Sequence, residues 1–163
     1  MKVKEIMTKN AKACVPTATL AEAAGLMWDE DCGVVPVVTQ SGKVVGLITD
    51  RDICMAAALS NVRLSDLAVE EVVSGKLYSA RADDDVRTAL ETMREQKVRR
   101  LPVINSDGAL EGILSMNDIV LNAQEGREKG VIFFRDVLDT IKAISGHRAT
   151  ARKKKGAAAR VAG

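Results

Sequence analysis

Gly46-Leu47-Ile48-Thr49-Asp50-Arg51-Asp52-Ile53 occurs twice in this chain. Shifted by 66 residues it becomes Gly112-Ile113-Leu114-Ser115-Met116-Asn117-Asp118-Ile119. Each copy is a short apolar run, a hydroxyl residue, two intervening residues, an aspartate and an isoleucine. Between 33–53 and 99–119 six positions are identical and most others keep their character. A period this long with only two copies points to two subdomains related by a pseudo-two-fold axis rather than to a solenoid.

On either side of this stretch the two copies follow the same pattern. Leu20, Ala23, Ala24 and Met27 recur at i, i+3, i+4 and i+7, an amphipathic helix, and Val86, Ala89, Leu90 and Met93 repeat it. Thr19 with Glu22 forms a capping box, and Asp85 takes the cap position of the second copy. The runs Val34–Val38 and Val44–Ile48 are β-branched and read as buried strands, joined by the turn Gln40-Ser41-Gly42-Lys43. Ser106-Asp107-Gly108-Ala109 is the matching turn. A second helix runs from near Asp50 to about Leu59, and its counterpart from about Met116 to Ala123. Short leading strands are expected near Cys14 and near Leu77–Ser79. Gly46 and Gly112 mark close packing against a strand or helix. Beyond the repeats, Phe134, Val137, Leu138, Ile141 and Ile144 form a helical stripe.

The chain has 163 residues and 17.5 kDa, enough for one ordinary domain or two small ones. Aromatic residues make up 2%, which excludes a surface that stacks bases on rows of rings. The one histidine, His147, argues against poly-His metal sites and most histidine-dependent catalysis. Three cysteines without a CxxC pair read as free thiols in a reducing compartment. No stretch approaches the roughly 20 apolar residues of a membrane span, so a cytoplasmic location is expected. The net charge of +2 hides an asymmetry. Residues 146–163 carry six basic side chains and no acid, which leaves 18 basic and 22 acidic residues, a net of −4, in 1–145. That tail has almost no large apolar residue and is expected to be disordered.

The sequence resembles a tandem CBS-domain protein, the regulatory module named after cystathionine β-synthase. The resemblance rests on Val3-Lys4-Glu5-Ile6-Met7-Thr8, on Pro16 and Leu20, on Val-Pro-Val-Val and Leu-Pro-Val-Ile, and on Gly-Leu-Ile-Thr-x-x-Asp with Gly-Ile-Leu-Ser-x-x-Asp. The second copy departs from the pattern in its opening, Leu64-Ser65-Asp66-Leu67-Ala68, and in having Ala82 where the first has Pro16. The resemblance covers about residues 1–124 and implies an α/β fold of two units packed through their sheets, CBS domain 1 over 1–62 and CBS domain 2 over 63–124; the amphipathic helix within 125–145 and the basic tail over 146–163 follow it in the residues' own pattern. It also implies up to two clefts for adenosine-containing ligands (AMP, ADP, ATP or S-adenosylmethionine), a homodimer, no required cofactor, and regulation of a separate protein rather than catalysis.

The residues supply a chemical reason. A carboxylate in the first turn of a helix can accept from both ribose hydroxyls, and the neighbouring hydroxyl can donate to phosphate. The helix N-terminus, with its free N–H groups, favours an anion. By resemblance Asp52 and Asp118 take ribose, and Thr49 and Ser115 take phosphate or ribose. The same pattern is also an ordinary helix cap. Arg51, Arg99 and Arg100 are phosphate candidates, or solvated surface cations. For adenine the resemblance points to Cys14, Val15 and Ala80, with Val35 and Leu101 as walls, each of which also suits plain core. A ligand-independent interaction scaffold, and a nucleic-acid-associated factor acting through the tail, are the competing readings. An enzyme is the weakest, because no P-loop, GxGxxG, GxSxG or metal cluster occurs.

Overall fold

A computed structural model describes residues 1–73, 76–126 and 130–146. From 147 on, the basic tail lies outside the described residues. The first unit comprises α2 (Leu20–Asp29), the antiparallel hairpin β2 (Val34–Val38) and β3 (Val44–Thr49), and α3 (Asp50–Ser60). The second repeats it with α4 (Val86–Gln96), β4 (Arg100–Ile104), β5 (Leu110–Ser115) and α5 (Met116–Leu121). Before them come α1 (Val3–Ile6) and β1 (Thr8–Lys9), and after them α6 (Phe134–Ser145).

The expected caps form. Thr19 and Glu22 exchange backbone hydrogen bonds of 2.7 and 3.1 Å, and the Asp85 carboxylate accepts from the Arg87 N–H at 2.9 Å. Gly42 and Gly108 turn the two hairpins with φ of +81°, a conformation that costs a Cβ-bearing residue energy. Cys14 pairs with Val37 in parallel, as the leading-strand reading expects. In the second unit the pairing falls on Ala80 with Val103, one residue beyond Leu77–Ser79.

Two apolar cores result; every buried member of the first has its counterpart in the second at the repeat distance, and the second adds Leu90, Met116, Ile132 and Val137. Leu20, Met27, Val35, Val37 and Ile48 fill the first; Val86, Met93, Leu101, Val103 and Leu114 fill the second. One pair is exchanged. Val3, fully buried, belongs to the second core, and Val69, also fully buried, belongs to the first. The backbone follows: Val3 N–H donates to the Asp84 carbonyl and Lys4 N–H to that of Ala82, while Val69 N–H donates to Ala18 and Glu70 N–H to Pro16. Each opening segment thus packs on the other unit, and these backbone bonds recur with the roles reversed, as a two-fold relation requires. The structural counterpart of Val3–Met7 is therefore Val69–Val73, not Leu64–Ala68. The 66-residue shift was the available signal: it lays Val3, Glu5 and Ile6 on Val69, Glu71 and Val72.

The exchange explains the paired glycines. A Cβ on Gly112 would lie 2.5 Å from the Thr8 carbonyl oxygen of β1, which pairs with β5, and one on Gly46 would collide with the Val73 side chain. Gly112→Ala is expected to lower stability by about 1–3 kcal/mol, because backbone must move to admit the methyl. A denaturant midpoint equal to that of the wild type would refute the close approach.

The α6 helix packs on α4 and α5. Its buried side is Val137 and Thr140, with Ile144 half-buried against the second core. Phe134, Leu138 and Ile141 of the expected stripe stay 55%, 51% and 39% exposed, so the stripe is split between two faces. Among the described residues no helix is long and apolar enough to cross a membrane.

Candidate functional site

Thr49 closes β3 and, with φ −117° and ψ 159°, is the N-cap of α3; Ser115 does the same for α5 with φ −117° and ψ 162°. Asp52 Oδ2 accepts from the Thr49 N–H at 3.1 Å and from its hydroxyl at 2.6 Å, and the Asp52 N–H returns a bond to Thr49 Oγ1 at 3.2 Å. Ser115 and Asp118 repeat this at 2.7, 2.7 and 3.3 Å. The capping reading is thus realised at both positions. It consumes one carboxylate oxygen of each pair. Among the described residues Asp52 Oδ1 has no hydrogen-bond partner, and Asp118 Oδ1 has the Thr8 hydroxyl at 3.5 Å, the outer limit of a hydrogen bond. Each hydroxyl oxygen keeps a lone pair. The box therefore holds each carboxylate rigid while leaving an acceptor over.

Both pairs line clefts of the size that takes a small molecule. Thr49 and Asp52 line one of about 680 Å³, together with Asp50, Arg51, Lys76 and Tyr78. Ser115 and Asp118 line one of about 430 Å³, together with Lys12, Cys32 and Val35. Each cleft draws on both units: the residues just before the Ala80 bridge close the first, and those just before the Cys14 bridge close the second. Arg99 and Arg100, at the start of β4, line both clefts. Gly33 makes room for this. A Cβ there would lie 2.7 Å from Asp50 Oδ2 and 3.4 Å from Arg100 Nη2, so the two charged groups reach over it.

Of the sequence candidates, Thr49, Arg51, Asp52, Arg99 and Arg100 meet in the first cleft, and Val35, Arg99, Arg100, Ser115 and Asp118 in the second. Cys14, Ala80 and Leu101 are buried in the cores, and Val15 is 40% exposed; none of these four lines either cleft. The main-chain pairing of Cys14 and Ala80 draws them into the sheet interior. The segments that reach the clefts end two residues earlier, at Lys12 and Tyr78. The 66-residue shift that lays Lys12 on Tyr78 was the available signal.

Burial pushes the Cys14 thiol above its ordinary pKa, whereas Cys32 and Cys54 are exposed. A disulfide reagent at neutral pH is expected to titrate two thiols in the native protein and the third only on unfolding. Three fast thiols would contradict the placement of Cys14.

The CBS domain family matches residues 3–59 and 69–125, again 66 apart. The chain belongs to the CBS domain family and carries two CBS domains. It is 33% identical over 128 residues to the CBS domain-containing protein YhcV of Bacillus subtilis, covering 78% of this chain and 89% of that one. It is similar, at 26% identity and a TM-score of 0.68, to the CBS domain pair of protein MJ0100, solved in complex with 5′-methylthioadenosine and S-adenosyl-L-methionine; 74% of this chain and 94% of that one are covered. The CBS domain protein PAE2072 of Pyrobaculum aerophilum, solved with AMP, shares the fold at 24% identity and a TM-score of 0.67, over 73% of this chain and 90% of that one.

Proposed function

We propose that the chain is a regulatory module that binds adenosine-containing ligands in the two clefts. Asp52 and Asp118 accept hydrogen bonds from ribose hydroxyls through Oδ1, and Thr49 and Ser115 contact ribose or phosphate. Arg51, Arg99 and Arg100 meet phosphate where the ligand has it. The observation that carries this reading is the carboxylate with one oxygen fixed by its own helix cap and the other left over, present twice, each time in a cleft. The adenosine compounds held by the CBS pair of MJ0100 support it. Both clefts are built across the two units, so a ligand bridges them and biases how they sit together. Ligand binding thereby modulates a partner protein, with the chain acting as a homodimer and without catalysis of its own.

Calorimetric titration with AMP, ADP, ATP and S-adenosylmethionine tests the reading. Saturable heat with at least one of these is expected. Absence of heat and of any thermal shift with all four would leave the interaction scaffold, which the exposed Phe134, Leu138 and Ile141 favour.

A further inference from the structure

The two clefts are lined by corresponding segments of the repeat and are unlike in charge. The first is lined by five cations, Arg51, Lys76, Lys97, Arg99 and Arg100, against the two carboxylates Asp50 and Asp52. The second is lined by three cations, Lys12, Arg99 and Arg100, against Glu30, Asp31 and Asp118. Arg99 and Arg100 line both clefts, so the difference comes from Arg51 and Lys76, which line only the first and fall on Asn117 and Asn10 at the repeat distance, and from Glu30 and Asp31, which line only the second. We infer that the clefts sort ligands by charge. The Asp52 cleft takes an adenine nucleotide with two or more phosphates, and the Asp118 cleft takes an adenosine compound without a phosphate chain.

A phosphate chain beside Asp52 meets a carboxylate that repels it, so added phosphates raise affinity only where cations outnumber acids. That holds in the first cleft and fails in the second. Guanidinium groups suit the task, since a planar fork meets two phosphate oxygens at once. The arginines common to both clefts sharpen the contrast. When Arg99 and Arg100 turn to a phosphate chain beside Asp52, the second cleft is left with Lys12 against three carboxylates, a setting that rejects anions and accepts a cation such as a sulfonium.

This inference rests on the proposed function, and its test separates the two. Asp118→Asn leaves the Asp52 cleft intact, and Asp52→Asn leaves the other. Adenosine, ADP, ATP and S-adenosylmethionine are titrated calorimetrically into both full-length variants, without divalent cations and at two salt concentrations. In Asp118→Asn, ATP is expected to bind at least about tenfold more tightly than adenosine, and the advantage should shrink with salt. In Asp52→Asn, adenosine and S-adenosylmethionine should slow alkylation of Cys32, which lines the second cleft and not the first, whereas ATP should leave that rate unchanged. Arg51→Ala placed in the Asp118→Asn background should cut ATP affinity while leaving that of adenosine unchanged. Equal ranking of the four ligands in both variants would overturn charge sorting and leave nucleotide binding standing. No binding by the wild-type chain would overturn both.

Discussion

Val3→Asp is expected to unfold the second unit, although the substituted residue lies at the far end of the sequence from that unit's core. Val3 is fully buried among residues such as Leu90, Leu101 and Leu114. A carboxylate there has no partner, and an uncompensated buried charge costs about 3–5 kcal/mol. Small domains have about 5–15 kcal/mol in total, so most of the reserve would be lost. Val3→Ala, which removes two methyl groups, should cost about 2 kcal/mol from lost burial and the cavity left behind. Lys9→Ala, on the exposed strand β1, should stay within about 0.5 kcal/mol of the wild type. Denaturant titration reads all three. A Val3→Asp midpoint close to that of Lys9→Ala would mean that the opening segment does not complete the other unit's core.

The second large effect concerns ligand. Asp52→Asn keeps an oxygen that can accept from the Thr49 N–H, so the helix cap should survive at a cost of about 0.5–1 kcal/mol. What it loses is the charged acceptor. A hydrogen bond to a charged group contributes about 1.5–3 kcal/mol, so binding in that cleft should weaken about tenfold to a hundredfold. Asp118→Asn should do the same in the other cleft. A nucleotide titration and a thermal melt on the same sample separate the two roles. Loss of affinity with nearly unchanged melting supports the ribose contact, whereas lowered melting with unchanged affinity would reduce both aspartates to caps.

The duplicated units were legible because three local signals agreed in both copies: the apolar spacing of α2 and α4, the β-branched strand runs, and the Thr/Ser-x-x-Asp boxes. What stayed hidden is what local pattern does not encode. Val69 looks like one more valine until its exchange with Val3 across the two-fold is seen. Lys12 and Tyr78 reach the clefts only because the main-chain bridges at Cys14 and Ala80 fix where each leading segment enters the sheet. Of the adenine candidates drawn from resemblance, Cys14 and Ala80 fell on those bridges and are buried in the cores, while Val35 lines the second cleft. The apolar spacing of α6 predicts one stripe, but packing on α4 and α5 selects Val137, Thr140 and Ile144 and leaves Phe134, Leu138 and Ile141 outside. Arg99 and Arg100 were legible as phosphate candidates; that they line both clefts was not.

A crystal structure of the chain grown with an adenosine nucleotide decides whether the two aspartates hold ribose. Ribose hydroxyls are expected within hydrogen-bond distance of Asp52 Oδ1 or Asp118 Oδ1, with the caps at Thr49 and Ser115 intact. Ligand bound elsewhere, or clefts filled only by solvent with both carboxylates engaged solely with their own helix starts, would contradict it.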